Sequence, residues 1–337
     1  MKTIPSPFSN NILTLQKRKE KLSFRKEEFE VMYHFYEENG HQFTITETDE
    51  LNMQQLHNQY RAKFNLPFPN EIKAIREQYQ ISASKMAEVL GFGTNIYRQY
   101  EGGEVPNQSN ARLIQLAKDP EEFRKLVMLS EAFNMKETTN VLNRIEDLLK
   151  QKQALKHDFD TNFEKLIFGN SFKPSSFNGF VEPNLHKTIQ ALVYLIEQLN
   201  PWKTGLNKLL FYTDFLHYRK HGFGITGLPY RAIQHGTVPT NYDYLLAYAT
   251  EQGIVRVREK TFEDGYRGEQ FFNSEEYTFN STLFSEAEMN TLHEVVATFK
   301  GKNSSEIVNL NHEESAWKDN VEGHRVIDYG YAFGLLR

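Results

Sequence analysis

Apolar and polar positions change rhythm along the chain, and each rhythm predicts a different kind of element. Leu22, Phe24, Phe29, Val31, Tyr33 and Phe35 alternate with polar residues, the two-residue period of half-buried strands. Asn39-Gly40 is a hairpin-turn pair leading into a short strand over 42–46. Thr48-Asp49-Glu50-Leu51 then opens a helix to Lys63, with Leu51, Leu56 and Tyr60 inward. Residues 1–66 therefore read as a small β-rich module, only marginally stable alone without disulfide or metal.

From Pro67 the period becomes helical. Ile72, Ile75 and Tyr79 share one face of a helix over 70–80. Ser82 caps the next, whose inner face is Met86, Val89 and Leu90, and Gly91-Phe92-Gly93 ends it. Thr94 or Asn95 opens a third helix closed by Gly102-Gly103, and a fourth covers 107–117. Two helices this short, joined by a glycine-bearing turn, are the pattern of a helix-turn-helix. Residues 67–118 thus read as a four-to-five-helix repressor-like DNA-binding domain. Asp119-Pro120-Glu121-Glu122 supplies an N-cap, a first-position proline and two acids for a helix to Ala132. A further helix over 138–153 carries Val141, Leu142, Ile145, Leu148 and Leu149, the stripe of an interdomain or dimer helix. With the linker Asn170-Ser171-Phe172-Lys173-Pro174-Ser175-Ser176, residues 119–179 form a helical connector.

Residues 180–337 make a last, α+β domain. Leu185, Ile189, Leu192, Ile196 and Leu199 lie at helical spacing up to Asn200-Pro201. Thr204 caps a second helix, with Leu206, Leu209, Leu210, Phe215 and Leu216, running to His221-Gly222, so the two form an antiparallel hairpin. A helix over 241–252 follows, then paired strands at 254–258 and 270–279 around a glycine-containing turn. Ser285 with Glu288 is a capping box for a helix ending at Lys300-Gly301, and two short helices close the chain. The fold class is mixed, mainly α with small β elements.

Composition narrows the function. The 337 residues contain 39% hydrophobic and 25% charged residues, suited to two or three globular domains. There is no cysteine, which excludes disulfides and thiolate metal sites. No apolar run approaches the ~20 residues of a membrane span, and the first residues lack a signal peptide's apolar stretch, so a cytoplasmic protein without a membrane partner is expected. The net charge of -5 hides an asymmetry. Residues 61–118 hold eight Lys/Arg against five Glu, whereas 251–337 hold nine against sixteen Asp/Glu. One end suits phosphates, the other a protein.

The search for catalytic chemistry is negative. His293-Glu294-Val295-Val296 starts like a zinc-protease motif, but Ala297 stands where the second ligand is required. His312-Glu313-Glu314 has no second histidine at ligand spacing, Gly91-Phe92-Gly93 follows a helix, and there is no Gly-x-Ser-x-Gly elbow. No enzyme, cofactor or metal is expected. DNA chemistry fares better. The N-terminal half of a second helix in this motif faces base edges, and here it offers Thr94, Asn95, Ile96, Arg98 and Gln99. Asn and Gln suit adenine, Arg suits guanine or phosphate, and Ile96 suits a thymine methyl. Tyr97 and Tyr100 pack inward. Lys85, Asn107 and Ser109 are placed for phosphates, while Glu88, Glu101 and Glu104 dilute the positive potential.

Residues 70–106 resemble the Xre-type helix-turn-helix of antitoxin transcription repressors, and the segment before them resembles those repressors' N-terminal module, a zinc ribbon in many relatives. Ser6-Pro7-Phe8-Ser9 has the spacing of that ribbon's Cys-Pro-x-Cys, and Glu37-Glu38-Asn39-Gly40 falls where the second pair belongs. The resemblance therefore implies a ribbon without its zinc, held by packing. A second resemblance rests on Leu206 to Phe215 (LNKLLFYTDF), Ile225-Thr226-Gly227, Tyr230-Arg231-Ala232, His235-Gly236-Thr237-Val238-Pro239 and His312 to Trp317 (HEESAW). In order and spacing these are similar to the Panacea (SocA-like) antitoxin domain, over roughly 180–337. Thr237 departs from a Gly-Pro-Val-Pro turn usual in that family.

The resemblance implies an antitoxin of a type II toxin-antitoxin system. Its partners would be a cognate protein toxin from the same operon, bound by the Panacea domain, and operator DNA, bound by a homodimer for autoregulation. It singles out Lys208, Tyr212, Asp214, Gly227, Tyr230, His235, Gly236, Pro239, His312 and Trp317 as motif residues. Lys208 and Asp214 are placed to anchor the following loop, and Gly227, Gly236 and Pro239 to set turns. Trp317 reads as core, with an interface anchor as the alternative. Two other readings stay open: a stand-alone or phage-related transcription regulator with a C-terminal sensing domain, and a hydrolase using His235 or His312.

Overall fold

The computed structural model describes residues 3–155, 159–169, 173–261 and 267–336. The chain is mainly α with small β elements. It gathers into two compact units: residues 21–30 with 53–161, and residues 1–20 and 31–52 with 162–337.

At the N-terminus β1 (Thr3–Pro5) pairs antiparallel with β2 (Ile12–Thr14), and β3 (Gln16–Phe24), β4 (Glu27–Glu38) and β5 (His41–Phe43) form a sheet in that order. Asn39 and Gly40 both have positive φ, 52° and 80°, and close a two-residue hairpin with Glu38 opposite His41. Arg25 and Lys26 adopt the same left-handed pair, 48° and 70°, in the β3–β4 turn; neither residue type advertises it. The alternation expected through Phe35 holds at Val31 and then fails, because His34, Phe35 and Tyr36 are all buried. One face of His34 is covered by α1 (Thr46–Phe64), where Asn52 accepts from the His34 N–H (2.8 Å) and donates to its carbonyl (2.9 Å). Strand β5 stops at Phe43 and α1 starts earlier than expected, since the Thr48 hydroxyl accepts from the Ile45 N–H at 2.9 Å.

The unit built on 53–161 contains α2 (Pro69–Glu77), α3 (Ala83–Val89), α4 (Ile96–Glu101), α5 (Gln108–Leu116), α6 (Pro120–Leu129) and α7 (Met135–Leu155). Their apolar faces meet in one core that includes Ile72, Tyr79, Met86, Tyr97, Ile114 and Phe123. Val141 and Ile145 of α7 are buried in that same core, with Leu142, Leu148 and Leu149 against it. The stripe expected to serve an interdomain or dimer contact thus completes its own unit. Tyr79 and Phe123 stack with centroids 3.8 Å apart, which ties α6 to the turn leaving α2. Helix α6 ends at Leu129, short of Ala132, because Ser130 is extended.

The other unit turns on one helix. It contains α8 (Phe159–Phe168), α9 (Leu185–Leu199), α10 (Lys203–His221), the hairpin β6 (Tyr230–Ile233) and β7 (Gly236–Pro239), α11 (Tyr242–Glu251), and the hairpin β8 (Val255–Thr261) and β9 (Arg267–Asn273). Then come α12 (Glu286–Phe299), α13 (Ser304–Glu313), α14 (Ser315–Lys318) and a 3₁₀ turn over Tyr329–Gly334. Every residue from Gly205 to Tyr218 is buried, so α10 is the axis around which α9, α12, α13 and β7 pack. Its N-cap is Trp202 with no side-chain cap, and Thr204 lies inside the first turn instead of capping it. Helix α9 ends as expected, with Asn200 left-handed (φ 43°) before Pro201. The capping box of Ser285 and Glu288 is formed, and Asn303 with Glu306 makes a second one on α13. Strand β9 ends at Asn273 rather than Phe279, and the turn expected before it falls largely on 262–266, outside the described residues. The first half of the expected linker, Asn170 to Phe172, also lies outside them; Lys173 to Ser176 has no regular structure.

Candidate functional site

The α3–α4 pair presents the residues expected to read DNA. Thr94, Asn95, Arg98 and Gln99 are exposed together along the start of α4, while Tyr97 and Tyr100 point inward. Tyr97 donates to the Ile72 carbonyl (2.7 Å) and Tyr100 accepts from Asn110 (2.9 Å), which fix the helix from below. Ile96 is half-buried against the core rather than fully presented. Lys85 donates to the Ala132 carbonyl and pairs with Glu88 at 3.1 Å, so its ammonium is held toward the α6–α7 connection. Asn107 caps α5, its side chain accepting from the Asn110 N–H (2.8 Å), and Ser109 is exposed in the first turn of that helix.

Two arginines that the sequence did not single out hold the segment leaving α4. Arg25 donates to the Val105 and Pro106 carbonyls (2.6 and 2.9 Å). Arg61, fully buried, donates to the Gly103 carbonyl (2.6 Å) with Phe68 beneath its guanidinium. Burial, with the nearby charges of Arg61 and Arg25, pushes the His57 imidazole down to about 4 and keeps it neutral. Part of the positive charge counted over 61–118 is therefore internal structure.

In the α10 unit, Asp214 behaves as expected of a loop anchor. Its Oδ1 accepts from the N–H groups of Ile225 and Thr226 (2.7 and 2.8 Å), and its Oδ2 from the Thr226 and Tyr230 hydroxyls (2.6 and 2.7 Å). Burial raises its proton affinity, and these four donors oppose that. Tyr230 and Tyr329 are held far above the usual phenol range by burial and by the Asp214 charge. Gly227 (φ 77°) closes the loop where a Cβ would lie 2.8 Å from Pro183 Cα. Tyr212 donates to the buried Glu314 at 3.2 Å.

Lys208 does something different. It is fully buried, and Nζ has no hydrogen-bonding partner among the described residues. Burial alone pushes its ammonium down to about 7. Its chain lies against Gly236, where a Cβ would stand 2.6 Å from Lys208 Cε and 2.6 Å from Asn311 Oδ1. Close by, His312 stacks on Trp317 at 3.8 Å, and Trp317 donates to the Ile233 carbonyl at 2.8 Å. Trp317 is half-buried and ties α14 to β6, between the two roles expected of it. Pro239 ends β7 opposite Tyr230 instead of shaping a turn; at a strand end its missing N–H is tolerated. Lys208, His235, Gly236, His312 and Trp317 thus come together, and Asp214, Gly227 and Tyr230 form a separate network. Thr226, inside the Ile225-Thr226-Gly227 motif, and Asn311, which nothing in its sequence context marked, complete these clusters.

At the N-terminus the two serines in cysteine spacing do meet the expected second pair. Glu38 accepts from the Ser6 and Ser9 hydroxyls (2.5 Å each) and from Asn11 Nδ2 (3.0 Å). These donors lower the Glu38 proton affinity. A carboxylate clasp thus ties the Ser6–Asn11 segment to the end of β4. Among the described residues no group of three or more His, Cys, Asp or Glu is arranged to hold a metal ion, and no helix is long and apolar enough to cross a membrane.

Residues 206–318, about a third of the chain, match the family model described as antitoxin SocA-like, Panacea domain. All ten motif residues, from Lys208 to Trp317, lie inside the match. No curated protein and no solved structure gives a match.

Proposed function

We propose that this chain is the antitoxin of a type II toxin-antitoxin pair, neutralising its toxin by direct binding and not by catalysis. The carrying observation is the antitoxin-domain match over 206–318, with its motif residues gathered around one buried helix. The toxin-binding surface belongs to this domain and the family motif maintains its scaffold. The α3–α4 pair acts as an Xre-type helix-turn-helix, and the exposed row Thr94, Asn95, Arg98 and Gln99 supports that reading. As a homodimer it would bind half-sites about one helical turn apart in its own operator and repress the shared operon.

Co-expression of the full chain with the product of the adjacent gene tests the toxin arm. Growth arrest by that product alone and growth with the full chain is the expected result; arrest in both overturns it. Retardation of the chain's own promoter DNA tests the second arm, and no shift at low salt overturns that arm alone.

A further inference from the structure

A buried amine with no acceptor is costly unless something outside the fold satisfies it. Among the described residues Lys208 Nζ is such a group, on a residue with no exposed surface. His312 Nε2, from α13, is also buried without a hydrogen-bonding partner among the described residues. Lys208 and His235 both stand close enough to His312 to lower its proton affinity further, after burial. The groups facing this spot are Lys208 from α10, His235 and Gly236 from the β6–β7 hairpin, Asn311 and His312 from α13, and Trp317 from α14. None of these is a carboxylate. Asn311 bonds Thr237 through both its Oδ1 and its Nδ2. His235, in the two-residue turn of the hairpin, is exposed, and His312 is half-exposed.

We infer that Lys208, His312 and His235 form a site for a small oxyanion, a carboxylate or a phosphate, entered at the Gln234–His235 turn. The anion accepts from Lys208 and His312 and supplies the negative charge that the fold leaves out. This site is independent of the antitoxin reading.

Because the free amine is pushed down to about 7 by burial, an arriving anion draws a proton onto it. Calorimetric titration of the full chain at pH 8, with inorganic phosphate and separately with acetate, in two buffers of different ionisation enthalpy, tests this. Saturable binding of at least one anion with net proton uptake is expected. Lys208→Met should weaken it by roughly ten- to a hundredfold, the loss of one charge-assisted hydrogen bond. His312→Gln should weaken it by about tenfold while leaving the proton uptake, and serves if the lysine variant fails to fold. Saturation by phosphate but not acetate assigns a phosphate-bearing ligand; the reverse assigns a carboxylate. No saturable binding of either, binding without proton uptake, or equal binding by both variants overturns the site.

Discussion

Thr237 and Asn311 are joined by two hydrogen bonds: the Thr237 N–H donates to Asn311 Oδ1 at 2.7 Å, and Asn311 Nδ2 donates to Thr237 Oγ1 at 2.9 Å. Proline has neither the N–H nor the hydroxyl. The position at which this chain departs from the Gly-Pro-Val-Pro turn is thus the position that engages α13. Replacing Thr237 by Pro strands both polar groups of a buried Asn311. We expect a loss of about 1–3 kcal/mol by denaturant unfolding. Asn311→Leu in that background should cost less than it does in the wild-type chain, and a strictly additive double-mutant cycle would disprove the coupling.

Lys208 should destabilise the free protein near neutral pH. A base whose proton affinity is lowered in the folded state binds more protons when unfolded. The penalty is full below about 7, shrinks as pH rises, and is gone above the ordinary value of 10.5. In buffer free of phosphate and carboxylates, Lys208→Met is expected to be more stable at pH 7 by roughly 1–3 kcal/mol. That advantage should shrink steadily toward pH 10. A Met variant less stable than wild type at pH 7 contradicts this.

Asp214 is expected to be the opposite case. Removing its carboxylate leaves four buried donors without acceptors in the Ile225–Tyr230 loop. Asp214→Ala should lose about 3–5 kcal/mol, measured by thermal or denaturant unfolding. A loss below about 1 kcal/mol would mean that the loop does not depend on it.

Much of the α10 unit's architecture was legible because helical periodicity and caps are local. The stripes on α9 and α10, the Asn200-Pro201 stop and the Ser285–Glu288 box needed only neighbouring residues. Lys208 was legible as a motif residue but not as a buried amine. Its burial depends on β7 and α13 arriving from 28 and more positions downstream. The Arg25-Lys26 turn was invisible because neither residue favours left-handed backbone. The serine spacing at Ser6 and Ser9 pointed to the right place, and only the fold supplied Glu38 as what they bind.

The Glu38 clasp should respond to acid. Its carboxyl binds protons less readily folded than unfolded, so its contribution is present above its ordinary value of 4.5 and lost as pH falls through the lower folded value. Glu38→Gln should therefore flatten the acid limb of the stability curve, followed by the fluorescence of the neighbouring tyrosines. An unchanged acid limb would show that the clasp contributes nothing.

The exposed row on α4 separates the two proposed arms. Arg98→Ala with Gln99→Ala touches two exposed side chains, so stability should move by no more than about 0.5 kcal/mol. Retardation of the promoter DNA should be lost, and growth in the presence of the toxin should be unaffected. Loss of rescue without loss of DNA binding contradicts that division of labour.

Neutralisation by direct binding is read out by titrating the purified full chain into the purified product of the adjacent gene while following that product's toxic activity. Co-elution of the two chains and activity falling to baseline near stoichiometric addition are expected. Undiminished activity at a large excess of this chain, with the two proteins eluting apart, would contradict it.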